Sequence, residues 1–199
     1  MSETAEQYRH RMLGNIKGQD ARKVQAATPA KLARLLKGVP TAKLRKRPTP
    51  GKWSVQEIVL HLADTEIVSG FRIRLILGKP GTPIVAFDQD DWVVAGNYGK
   101  RDTRTALAQF TALRASNLAL LKTLRPEQWK HAGLHAERGE ESVETIAAMM
   151  AGHDVNHLGQ IERILKPKKA RSPSSPGPAN GNRFPNRPAE RHRALNSSA

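Results

Sequence analysis

The chain has 199 residues, 38% of them hydrophobic, enough for one sizeable core and a single globular domain but not for two. It has no Cys, which excludes disulfides, thiolate metal sites and a protein-borne thiol nucleophile, fits a reducing cytoplasm, and leaves His, Asp and Glu to hold any metal. Thirty-three Lys and Arg against 18 Asp and Glu give +15; no apolar run is long enough to span a bilayer and the polar start lacks a signal-peptide core, so a soluble cytoplasmic protein with no membrane contact is predicted.

Periodicity is helical from the start. A polar helix is expected within 6–26, and Thr28-Pro29 then reads as an N-cap with Pro at the first helical position, followed by Leu32, Leu35 and Leu36. After the turn Pro48-Thr49-Pro50-Gly51, the stretch Ser54-Val55-Gln56-Glu57 matches a capping box. The helix it opens should span 55–77, with Ile58, His61, Leu62, Thr65, Val68, Ile73 and Ile76 on one broad stripe, and end at Gly78 with Pro80 beyond. Residues 79–100 lose the pattern, and a connection of that length in a compact domain commonly lines or covers a site. Its acids, Asp88, Asp90 and Asp91, lack the spacing of a calcium loop and read as solvated. Asp102 or Thr103 opens a third long helix through Ala106, Leu107, Phe110, Leu113, Leu118, Leu121 and Leu124. A second irregular stretch, 127–141, holds Trp129, His131 and His135. Ser142 caps the last helix, whose stripe is Ile146, Met149, Met150, His153, His157, Ile161, Ile164 and Leu165.

Four amphipathic helices without a convincing alternating strand predict an all-α four-helix bundle over 1–166. The remainder, 167–199, is crowded with Pro, Ser, Asn and Arg and reads as a disordered tail. From Lys166 onward it holds eight basic residues and one acid, so about half the excess charge sits in about one-sixth of the chain.

His153 and His157 are four residues apart, which puts both imidazoles on one helix face within reach of one ion. With His61, on another helix, they form a three-imidazole set that leaves a tetrahedral metal one open position. All three lie on stripes of Ile, Leu, Met and Ala, where a buried polar ring is costly unless paired, and a shared metal is one way to pair them; ordinary hydrogen-bonded core histidines are the other. Asp64 is a candidate to orient a ligand imidazole or to act as a base, and His135 is a secondary candidate for the site. Asp154, next to a ligand and therefore pointing elsewhere on the helix, reads as a solvated acid.

Taken together, Pro50-Gly51-Lys52-Trp53-Ser54-Val55-Gln56-Glu57-Ile58-Val59-Leu60-His61-Leu62-Ala63-Asp64-Thr65-Glu66, Phe71-Arg72-Ile73-Arg74, Phe110-Thr111-Ala112-Leu113-Arg114, His135-Ala136-Glu137-Arg138-Gly139-Glu140 and the run from Ala151 to Ile161 resemble the DinB-like superfamily, the damage-inducible, YfiT-related four-helix-bundle proteins. The resemblance implies an up-down-down-up bundle, a divalent metal, commonly zinc or nickel, on His61, His153 and His157, and a homodimer. It further implies a metal-dependent enzyme acting on a small-molecule substrate, either a hydrolase or an S-transferase using a low-molecular-weight thiol as cosubstrate. The rival expectation is a non-catalytic metal-binding protein whose basic tail holds an anionic partner such as nucleic acid. That tail has a single aromatic, Phe184, for base stacking, and a solubilising role is favoured over binding.

Overall fold

The computed structural model describes residues 3–166; the predicted tail lies outside the described residues. Helix α1 (Ala5–Gly14) begins at a reciprocal cap, Thr4 accepting from the Gln7 amide while Gln7 Oε1 accepts from the Thr4 amide. Helix α2 (Ala21–Leu36) begins at Asp20, whose carboxylate accepts from the amides of Arg22 and Lys23. This corrects the expectation at Thr28-Pro29, which lies in the middle of α2. Proline lacks the amide that would bond the Gln25 carbonyl four residues back, so an interior Pro ordinarily breaks a helix. Here Arg114 supplies the missing donor, its Nη1 lying 2.9 Å from Gln25 O. A tertiary contact therefore overrides the local signal.

The expected capping box of Ser54 and Glu57 is formed, and α4 (Val55–Gly78) follows the short α3 (Thr41–Arg45). Asp102 caps α6 (Thr103–Lys122) and Ser142 caps α7 (Val143–Leu165). Both stretches read as irregular carry structure of their own. The first holds a two-residue strand β1 (Pro83–Ile84) and a short helix α5 (Gln89–Ala95), capped by Asp88. The second forms a hairpin of β2 (Ala132–His135) and β3 (Gly139–Ser142), with β1 parallel to β2 at its edge. The chain is thus a helical bundle with a small three-stranded sheet added. Strands this short carry too little alternation to show in sequence, and two residues of β1 are defined only by their partner.

Helix directions follow from which residues meet. Gln56 meets Thr103, Glu66 meets Arg114 and Gly70 lies against Asn117, so α4 and α6 run the same way. Gln25 bonds Ala147 O while Leu32 shares a core cluster with Leu158 and Ile161, so α2 and α7 are also parallel. Conversely, His61 lies by His153 while Ser69, further along α4, bonds Met150, earlier on α7. Helices α4 and α7 are therefore antiparallel, and α2, α4, α6 and α7 run up, down, down, up.

Two regions of core stack along the bundle, one around Leu32, Ile58, Leu62 and Phe110 and the other around Ile73, Ile76, Leu121 and Ile146. Helix α1 packs on the outside of α7. Its backbone comes so close that a Cβ on Gly152 would lie 1.8 Å from Met12 O, so only Gly fits there. Replacing Gly152 by Ala is expected to destabilise the protein by about 1–3 kcal/mol through overpacking. Thermal denaturation together with faster amide exchange in α1 measures it, and unchanged protection of α1 contradicts the packing argument.

Candidate metal centre

His61 comes from α4 and His153 and His157 from successive turns of α7. All three are buried, at 4%, 5% and 7% exposure, on the inner faces of antiparallel helices. The Nε2 atom of His153 lies 2.9 Å from Nε2 of His61 and 3.1 Å from Nε2 of His157. Among the described residues this is the one group of three His, Asp or Glu side chains whose ligand atoms all lie within 4.8 Å of one another.

The proton arrangement of these rings is restrictive. His157 Nδ1 faces Gln160 Oε1 at 3.0 Å, and an amide oxygen only accepts, so Nδ1 carries the proton and Nε2 presents a lone pair inward. His153 Nε2 then has two ring nitrogens within hydrogen-bond distance, and one proton satisfies one of them. A cation between the three nitrogens satisfies all. Metal–nitrogen bonds of about 2.0–2.1 Å span nitrogen pairs roughly 3 Å apart, so the spacing fits a divalent transition ion. Burial, followed by the charge of His157, holds His61 well below the usual imidazole range; burial and both neighbours do the same for His153, and burial brings His157 down to about 4. The rings are therefore neutral at physiological pH, as ligation requires.

The surroundings differ in part from expectation. Asp64 accepts no hydrogen bond from the histidines: its carboxylate accepts from Tyr98 Oη and, at 3.5 Å, from Arg101 Nη1, tying α4 to the turn before α6. His135 is buried in β2, where its Nδ1 accepts from the Glu137 amide at 3.1 Å, outside the three-histidine group. Asp88, Asp90 and Asp91 are exposed, as expected, but Asp90 also accepts from Trp53 Nε1 at 3.0 Å. Asp154 overturns its reading as a solvated acid. It is completely buried and meets Arg114 through two bonds, Nη1 to Oδ2 at 2.5 Å and Nη2 to Oδ1 at 2.9 Å. The reason is that α7 is enclosed on several sides, by α1, α2 and α4, so six consecutive residues from Met149 to Asp154 are buried. Burial pushes Asp154 up from the ordinary carboxylate range, against the pull of Arg114.

Sequence reasoning missed three contributors. Gln160 orients His157, and its signal was its place three residues on, one turn along the helix. Trp53 stacks nearly parallel to His157 at 6.4 Å and tilts against His61 at 4.8 Å, closing one side of the cluster. Arg114, 1% exposed, also binds Glu66 at 2.7 Å. On its other side the cluster opens onto a cavity of about 90 Å³, reached by His61 and His153 and walled by Thr65, Ser69 and Met150 among others.

A helical bundle holding three convergent, neutral imidazoles at the edge of a cavity defines a class of metal-binding bundle proteins. Residues 26–161 match the DinB superfamily, and the chain belongs to it. It is 27% identical over 139 residues to the "Putative metal-dependent hydrolase YfiT" of Bacillus subtilis, covering 69% of this chain and 78% of that one. It is likewise 27% identical over 122 residues to the "Putative metal-dependent hydrolase OB0413" of Oceanobacillus iheyensis, covering 61% and 70%. The solved structure of Bacillus subtilis YfiT superposes with a TM-score of 0.69 at 24% identity, over 82% of this chain and 88% of that one, and has the same four-helix-bundle fold. No helix among the described residues is long and apolar enough to cross a membrane.

In the metal-free protein the lowered histidines make stability pH-dependent. An unfolded imidazole takes up a proton near pH 6.5 while the buried ring resists until lower pH, about 4 for His157. The unfolded state thus binds more protons between these limits, so stability is complete above about pH 6.5 and falls as pH drops toward 4. Melting curves of chelator-treated protein from pH 7.5 to 4.5 should show this decline. A shallower slope is expected in a His61→Gln, His153→Gln, His157→Gln variant, and identical slopes contradict the assignment.

Proposed function

We propose that the chain is a metal-dependent enzyme acting on a small molecule, and that hydrolysis is its reaction. His61, His153 and His157 would hold one divalent transition ion, zinc or nickel, through their Nε2 atoms. The observation that carries the reading is the convergence of three buried Nε2 atoms, that of His153 lying 2.9 Å from His61 and 3.1 Å from His157. The similarity to proteins described as metal-dependent hydrolases supports hydrolysis.

An ion held by these three imidazoles would supply Lewis acidity, the means of making water or a small thiol nucleophilic near neutral pH. The chain's own residues do the rest. Gln160 fixes the tautomer and ring plane of His157, Trp53 excludes water from one side, and the cavity beyond His61 and His153 leaves the other side open to substrate. Since the chain has no Cys, the S-transfer alternative needs its thiol to enter through that cavity as a cosubstrate. Asp64, engaged by Tyr98 and Arg101, serves to fix the turn at 98–101.

Elemental mass spectrometry of untagged protein should find about one transition-metal ion per chain, lost in a His61→Ala, His153→Ala, His157→Ala variant. Protein that takes up no metal after incubation with zinc or nickel salts overturns the reading. Metal-loaded protein that hydrolyses ester and amide substrates, and loses that activity with the metal, extends it from binding to catalysis.

A further inference from the structure

The cavity beside His61 and His153 has walls of two kinds. Val68, Phe87, Ile146 and Met149 supply apolar surface, while Arg72, Arg138 and Glu141 bring charge. Arg138 is already committed, its Nε and Nη2 meeting the two carboxylate oxygens of Glu141 at 2.6 and 3.0 Å. Arg72 is differently placed. Among the described residues no carboxylate lies within ion-pair distance of it, and its Nη2 donates instead to a neutral acceptor, Val85 O, at 2.6 Å. The Phe87 ring lies 5.6 Å from the guanidinium carbon, holding one face of the fork. Burial first and then neighbouring Arg138 disfavour its charge, with Glu141 and Glu137 opposing them from longer range. Arginine nevertheless stays charged in proteins. A guanidinium has five N–H donors, and here one is used. A half-buried cation with no carboxylate of its own, beside a Glu141 already taken by Arg138, is costly unless the cavity's occupant completes it.

We propose that this cavity binds a small carboxylate with an apolar body, the carboxylate meeting Arg72 and the body running along Val68, Ile146 and Met149 toward the histidines. Arg72 lies eleven residues after His61 on the same face of α4, about 16 Å along the axis, so the anionic end sits away from the reacting end. A single planar fork matches a carboxylate. A phosphate would bring a second negative charge, and the groove outside the cavity, lined by Glu3, Asp88, Asp90 and Glu137, opposes it. The inference rests on the metal-centre reading only for where the reacting bond lies; the anion site itself needs no metal.

The test uses the full chain stripped of metal by chelation, titrated by NMR with hexanoate, hexanamide and inorganic phosphate. Saturable binding of hexanoate is expected, with hexanamide and phosphate each at least about tenfold weaker. Arg72→Gln should lose about tenfold in hexanoate affinity, and Arg72→Lys, which keeps the charge but not the fork, should fall between. Hexanoate that fails to saturate the wild-type protein overturns the proposal. So does equal binding of hexanoate and hexanamide, stronger binding of phosphate, or an unchanged affinity in a folded Arg72→Gln protein. Should that variant not fold, the acid–amide comparison on the wild type still decides. Because no metal is present, the result is independent of the elemental analysis.

Discussion

One buried guanidinium ties the bundle together. Arg114 on α6 reaches the Gln25 carbonyl on α2, Glu66 on α4 and Asp154 on α7, and its guanidinium lies 4.8 Å from the centre of the Phe110 ring. Asn117 extends the network, donating to Glu66 Oε2 at 3.1 Å. Each partner helix offers it an acceptor: a carbonyl released by Pro29 and two carboxylates in the core. Nonspecific packing of Leu and Ile tolerates sliding, whereas a fork that must meet both Glu66 and Asp154 does not. Helices α4 and α7 are thereby held at one level, and His61 and His153, five residues before Glu66 and one before Asp154, are held there with them. The fold's register and the site's geometry are one constraint.

The same network bears on charge. Two carboxylates, Glu66 and Asp154, share one guanidinium, and Asp154 adjoins His153 in the chain. A buried anion is stabilised by a nearby cation. Three imidazoles kept neutral by burial provide the place for one, so the core's electrostatics and the donor set of the site point the same way.

What the sequence showed depended on whether local chemistry decided the outcome. Ser54 with Glu57, Asp102 and Ser142 satisfy free helix-start amides within three residues, so those starts could be read directly, as could the pairing of His153 with His157 one turn apart. Thr28-Pro29 was misleading because the local rule was met by a helix start that never occurs; a distant Arg114 makes Pro tolerable inside α2. Asp154 was missed for a related reason: adjacency to a ligand implies a different direction, but not that the direction is solvent, and α7 has neighbours on several sides. Asp64 is drawn to Tyr98 and Arg101 by a turn whose path the sequence did not reveal. The small sheet went unseen since β1 exists only where β2 receives it, Gly133 leaving room for Ile84 and the Thr82 carbonyl.

The long connection between α4 and α6 follows from topology. Two adjacent helices that run the same way cannot be joined by a tight turn, because the chain must travel back along the full length of the first before starting the second. Residues 79–102 make that return, and they pass over the open side of the site. On the way they set Val85 O against Arg72, place Phe87 and Gln89 in the cavity wall, and bring Asp90 to the indole of Trp53, which itself stacks on His157. An up-down-up-down arrangement of the same four helices would need no such segment. The parallel pairing of α4 and α6, enforced by Glu66, Arg114 and Asn117, thus supplies both the alignment of the imidazoles and the chain that encloses them.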